Sequence, residues 1–408
     1  MLNTILPILL FAALALAVIG AAKRFFMWRR GRPAQVDWLG GLLKMPRRYL
    51  VDLHHVVERD KYMSKTHVAT AGGFVLAAVL AIVVHGFGLH NRILGFALLA
   101  ATVLMFTGAL FVARRRLNPP SRLSKGPWMR LPKSLLMFAA SFFIATLPVA
   151  GILPVDFGGW VLAAILSVGV AWGVSELFFG MTWGGPMKHA FAGALHLAWH
   201  RRAERFGGGR STGLKALDLD NPKAPLGVEK PTDFTWNQLL GFDACVQCGK
   251  CEAMCPAFAA GQPLNPKKLI QDMVIGLAGG NDAKFAGSPY PGKPLGEHGG
   301  GPHQPIVSLQ GKALVDADTL WSCTTCRACV EECPMMIEHV DAIVDMRRHL
   351  TLEKGATPNK GAEVLDNLIA TDNPGGFAPG GRMNWAADLN LQLLSEVKST
   401  EVPVSYTH

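Results

Sequence analysis

Acidic residues are scarce in the first half of this chain: seven Asp and Glu stand before residue 211, against 24 Lys and Arg. Charged side chains reach only 17% of the 408 residues while hydrophobic ones make up 50%, which excludes an ordinary soluble protein. Cysteine is missing before Cys245 and again after Cys333, so no disulfide framework runs through the chain. Nor does the net charge of +10 mark a nucleic-acid footprint. Residues 211–408 hold 16 basic and 23 acidic groups, and the positive excess sits in two segments, 23–66 and 114–133, each flanked by apolar runs. That distribution is the positive-inside pattern of a membrane protein.

What the first half has in abundance is long apolar runs. A spanning helix needs about 20 such residues, and five stretches qualify, at 2–22, 68–89, 93–113, 134–154 and 160–181. Behind the first run come Lys23, Arg24, Arg29, Arg30 and Arg32; a signal peptide carries its charges in front. The expectation is a retained helix in the inner (cytoplasmic) membrane, with both basic segments in the cytoplasm. Five crossings then leave the rest of the chain in the cytoplasm as well. Residues 1–206 read as the membrane domain, and Gly207-Gly208-Gly209, Pro222, Pro225 and Pro231 mark 207–234 as a linker.

All eight cysteines fall into two runs of one spacing, Cys245-x2-Cys248-x2-Cys251-x3-Cys255-Pro256 and Cys323-x2-Cys326-x2-Cys329-x3-Cys333-Pro334. Three thiolates a tight turn apart wrap one face of a cubane, and the fourth reaches the other cluster. The expected ligand sets are Cys245, Cys248, Cys251 and Cys333 for one [4Fe-4S] cluster, and Cys323, Cys326, Cys329 and Cys255 for the second. Zinc knuckles lack the third cysteine and the Cys-Pro ending. Around the motifs the periodicity is helical: Thr235 caps 236–242, 264–277 follows two prolines, and 337–352 repeats apolar residues at Val340, Ile343, Val344 and Met346. The fold class is therefore mainly α, a polytopic helical membrane domain followed by an α-helical ferredoxin domain at 235–356. The Gly/Pro-rich stretch 279–305 loops out between the motifs, and 357–408 forms a C-terminal extension.

Ionisable groups at membrane depth point to function. Glu176 lies near the inner end of the last run, and His54, His55, His67, His189, His196 and His200 gather on the same side, with His85 and His90 outside. A quinone pocket bounded by His54, His55, Glu176, His67 and His189 is expected. The bland reading is a set of interfacial side chains reaching water or headgroups.

The paired cysteine runs, with Asp318-Thr319-Leu320-Trp321-Ser322 leading into the second, resemble the ferredoxin-type component of heterodisulfide reductase and the iron-sulfur subunit of anaerobic glycerol-3-phosphate dehydrogenase. Residues 54–67, Ala71-Gly72-Gly73 and Met187-Lys188-His189 resemble the membrane iron-sulfur proteins of bacterial dimethylglycine catabolism. The resemblance implies electrons passing from a soluble flavin dehydrogenase, demethylase or electron-transfer flavoprotein to membrane quinone. The alternative is a membrane anchor and wire without a quinone site of its own. His67 and His189 also resemble, in part, the ligands of a b-type haem in the membrane subunits of nitrate reductase, although 160–183 carries no His. Relatives usually continue into a further cysteine-rich domain, so 357–408 is expected to be truncated before one, or a partner chain to supply it.

Overall fold

The structure, a computed structural model, describes residues 2–154, 156–200, 206, 212–278, 301–307, 313–358 and 361–390. It falls into two units, Met1–Glu353 and Lys354–His408. Helices dominate, and the described residues contain isolated β-bridges but no strand.

Among the described residues four helices are long and apolar enough to cross a membrane: α1 (Leu2–Trp28), α3 (Lys61–Gly86), α4 (Arg92–Leu117) and α6 (Gly159–Trp183). Between α1 and α3 lies the short amphipathic α2 (Trp38–Arg47). The fourth apolar run gives only a 16-residue helix, α5 (Leu131–Thr146), which ends two residues before Pro148. Helix α3 starts seven residues before its apolar run because Asp60 caps it, accepting from the Met63 N–H at 3.1 Å. Glycines draw the helices together: a Cβ on Gly73 would stand 2.6 Å from the Met105 backbone nitrogen, and one on Gly173 would stand 2.8 Å from the Phe138 Cα. Outward, Ile19, Val75, Val79, Ile93, Ile165 and Val168 are exposed, as side chains facing lipid tails must be. Helix α2 likewise exposes Leu39, Leu42 and Leu43 while Gly41 packs against Ala198.

After α7 (Lys188–Trp199) the chain reaches the iron-sulfur half of the first unit. Thr235 and Gln238 form a reciprocal capping box at the start of α8 (Trp236–Asp243). Helices α9 (Pro266–Ala278) and α10 (His339–Arg348) complete the core, with Phe234, Leu240, Ile270, Met336 and Ile343 buried among them. The expected linker is not slack where it is described. Val228 donates to Asp345 at 3.0 Å, and Thr212 donates to Asp341 at 2.9 Å, so the segment lies along α10. Most of 279–305 lies outside the described residues. In the second unit, α11 (Gly361–Thr371) exposes Val364, Leu365, Leu368 and Ile369.

Candidate metal centre and histidine cluster

Both cysteine motifs fold into the same turn. The second residue after the first cysteine has left-handed backbone in each, Gln247 at φ 51° and Thr325 at φ 55°. The fourth does too, Gly249 at φ 70° and Arg327 at φ 63°. Non-glycine residues rarely adopt this conformation, and its recurrence at matched positions turns successive backbone N–H groups inward, an arrangement suited to anions. The Thr325 N–H lies 3.4 Å from the Cys323 sulfur, and the Gln247 N–H bonds to Cys245.

The thiols crowd one another. Cys333 feels the charges of Cys248 and Cys245, Cys323 feels Cys255 and Cys326, and Cys329 feels Cys323, Cys255, Cys326 and Cys333. One cavity is lined by Cys245, Cys248, Cys251 and Cys333 together with Lys267 and Pro334. Burial pushes the Cys245 thiol up to about 11 and Cys333 up to about 12, and neighbouring thiolates add to both. Cys251 and Cys329 are raised for the same reasons. Without a cation these buried thiols stay protonated, and the donor set, four cysteines around one cavity with the other four repeating the spacing, fits iron-sulfur clusters, although the described side chains are not closed around an ion.

The first motif is bolted to the membrane half. Arg122, between α4 and α5, donates to the Cys248 carbonyl at 2.6 Å, and its own carbonyl accepts from Lys267 at 2.7 Å. A Cβ on Gly249 would come within 2.1 Å of that carbonyl, so this position has no room for a side chain. Lys250 donates to the Val56 carbonyl at 2.6 Å. A buried knot lies close by: Asp243 accepts from Arg24 Nε at 2.9 Å, from Trp28 Nε1 at 2.7 Å and from Lys188 Nζ at 3.1 Å. Burial would raise the Asp243 carboxyl, but the Arg24 and Lys188 cations outweigh it and hold the group down at about 2. Arg32 and Thr235 form a parallel bridge beside the knot, and the Trp38 ring stacks on Trp236 at 5.3 Å.

The expected histidine pocket assembles in part. The His54 and His67 rings are 5.8 Å apart, Tyr49 packs on both, and His189 is near enough for its charge to act on His67. Trp128 stands 5.8 Å from the His189 ring. Two tautomers are fixed by backbone: His54 Nδ1–H donates to the Tyr49 carbonyl at 2.7 Å and His189 Nδ1–H donates to the Pro186 carbonyl at 2.5 Å. Desolvation lowers the His189 pKa, despite the Pro186 bond. Its Nε2 is then an acceptor. His54 Nε2, His67 Nδ1 and Trp128 Nε1 are buried without a hydrogen-bond partner among the described residues.

His55 and Glu176 do not join them. His55 is exposed beside Phe206 and Arg59, and the buried Glu176 carboxylate is paired with Arg130. A haem at His67 and His189 gains no support; their rings pack on His54, Tyr49 and Trp128. His196 and His200 lie together beside α8, 5.6 Å apart. At the other end of α3, His85 is buried against Thr146 Oγ1 at 2.9 Å. Sequence reasoning missed Arg24, Trp28 and Lys188. A signal existed, since Arg24 and Trp28 are four apart on one helix face.

The family described as a domain of unknown function, DUF3483, matches residues 3–222, more than half of the chain. The chain belongs to the DUF3483 family. Its second half matches the 4Fe-4S dicluster domain over residues 241–337, so this DUF3483 member is an iron-sulfur protein with a helical membrane half. A "Probable membrane-anchored ferredoxin" of Chromohalobacter salexigens is 74% identical over 98% of this chain and 61% of its own length. The "EtfAB:quinone oxidoreductase" of Syntrophomonas wolfei is 38% identical over 39% of this chain and 23% of its own. The "Probable iron-sulfur-binding oxidoreductase FadF" of Bacillus subtilis is 30% identical over 56% of this chain and 35% of its own. The chain thus spans under two thirds of each of these relatives. No solved structure matches it.

Proposed function

We propose that this chain is an electron-transfer subunit that passes electrons from a soluble flavoprotein through two [4Fe-4S] clusters to quinone, at the cytoplasmic face of the inner membrane. Cys245, Cys248, Cys251 and Cys333 hold one cluster, and Cys323, Cys326, Cys329 and Cys255 hold the other. Bound there, the clusters supply one-electron transfer. The thiol neighbourhoods support this crossed pairing, and the basic segments 23–66 and 114–133 support the orientation.

One observation carries the quinone assignment. The segment bearing His54 touches the first cysteine motif, through Lys250 on the Val56 carbonyl, and the one bearing His189 touches the helix that leads into it, through Lys188 on Asp243. Electrons leaving the cluster of Cys245 therefore meet the row Tyr49, His54, His67, His189 and Trp128. Quinone takes two electrons, one at a time from the clusters, and two protons from the water of the cytoplasmic face to become quinol. In this row Trp128 Nε1–H donates to a quinone carbonyl, and the Nε2 atoms of His54 and His189 accept from the hydroxyls of the product. His67 completes the polar lining. Glu176, neutralised by Arg130, orders the end of α6 rather than moving protons.

The resemblance to the proteins of dimethylglycine catabolism, and the name of the Syntrophomonas relative, which pairs EtfAB with quinone, support a flavoprotein donor. The rival reading, an anchor and wire without a quinone site, is separated by one experiment. Anaerobic protein in detergent, its clusters reduced with dithionite and freed of excess, is mixed with a short-chain ubiquinone and with menadione. Quinol formation matched by cluster reoxidation supports the proposal. Clusters that stay reduced beside either quinone leave only the wire.

A further inference from the structure

The two motifs share a backbone turn but not their surroundings. In the first motif Cys245 and Cys251 are buried, the Cys248 carbonyl accepts from Arg122, and Gly249 leaves no gap to that residue. Its positive neighbours Lys188 and Lys267 act on Cys245. At the matched places of the second motif, Thr324, Thr325 and Cys326 are exposed. There Arg327 stands in place of Gly249 and turns away to Glu338 and Asp341, at 2.6 and 2.9 Å. Arg347 braces this loop from behind by donating to the Cys323 carbonyl at 2.6 Å and by covering the Trp321 ring. The helix leading in, Ala317–Trp321, begins beside exposed Asp316 and carries exposed Asp318.

We infer that the face formed by Thr324, Thr325 and Cys326 is where a soluble redox protein docks, so that electrons come in at the second cluster and leave by the first. Electron transfer decays steeply with distance, and a partner must bring the edge of its cofactor close to a cluster. Cys326 offers that approach; the first motif is covered on the matched side by Arg122 and the segment at Val56. The hydroxyls of Thr324 and Thr325 and the exposed carboxylate of Asp318 fit a small, polar, short-lived contact with a partner of basic rim.

This inference rests on the ligand sets proposed above, and the test separates the two. Full-length protein in detergent is reduced anaerobically, and the paramagnetic resonance of its clusters is recorded with and without a soluble dysprosium chelate. Cys326→Ser and Cys248→Ser assign the signals to the second and first cluster. The second-cluster signal should relax several-fold more strongly with dysprosium; equal or stronger relaxation of the first would overturn the inference. Absence of two cubane signals in the unaltered protein would instead reject the ligand sets. A second arm needs no cysteine variant. Reduction by the methyl viologen cation radical should slow several-fold in Asp318→Lys at low salt, with both midpoint potentials unchanged and the difference gone at high salt. An unchanged rate at low salt would count against the docking face.

Discussion

Lys188 sets its ammonium 3.1 Å from the carboxylate of Asp243, and so pins the helix that carries His189 to the segment that leads into Cys245. Arg24 and Trp28 of the first membrane helix hold the same carboxylate. A buried anion with two cations and an indole N–H is an expensive arrangement unless every partner is present. Here it fixes the position of the iron-sulfur half against the membrane half.

Replacing Asp243 should expose that dependence. Asp243→Ala removes the carboxylate that Arg24, Trp28 and Lys188 share, a loss of about 3–5 kcal/mol. Limited proteolysis of detergent-solubilised protein should then cut between the halves, in 212–230, far faster than in the unaltered chain. Unchanged protection would mean that the backbone bridge at Arg32 and the tryptophan stack suffice.

Cys333→Ser tests the crossed ligand sets. Iron content should fall from about eight atoms toward about four, and the cluster lost should be the one that Cys248→Ser also removes. Loss of the Cys326 cluster instead would reverse the pairing.

Asp272 supplies a pH dependence. Burial pushes its carboxyl up to about 6, against the pull of Lys268. The fold therefore favours the protonated form, so stability is highest below the unfolded value near 4 and declines as pH rises through about 6. Asp272→Asn should remove this decline and raise the thermal midpoint above pH 6, with a gain of roughly 3 kcal/mol as the ceiling. Parallel midpoint-against-pH curves for the two proteins between pH 4.5 and 8 would contradict it.

Helix α2 should lie in the plane of the interface, apolar side down. A spin label at Leu43→Cys, whose native side chain is 74% exposed, should collide more with oxygen than with a nickel chelate. The opposite ratio would place the helix in water.

Much of this was legible in the sequence, for physical reasons that differ by element. Eight cysteines of repeated spacing specify their chemistry locally, and Thr235 with Gln238 announces a helix start three residues apart. The apolar runs gave their helices but not the limits. Lys61 to His67 are mostly polar, so the cap at Asp60 is hidden from hydropathy, and α5 stops early at a chain turn before Pro148. The knot at Asp243 was only half legible: Arg24 and Trp28 share a helix face, but their partner lies 219 residues away and Arg24 reads as one more inside charge. Glu176 reads from sequence as a carboxylate near the inner interface that reaches water; its burial and its pairing with Arg130 depend on how α5 and α6 meet. The open second motif against the covered first is likewise a property of packing.

The most direct measurement is quinone reduction by His54→Ala and His189→Ala, followed in the same samples by paramagnetic resonance of the clusters. Both variants should keep two reducible clusters while quinol formation from ubiquinone and menadione analogues falls at least tenfold, and His85→Ala, at the far end of α3, should match the unaltered protein. Full quinone turnover in both His54→Ala and His189→Ala would contradict the assignment of the quinone site to this histidine row.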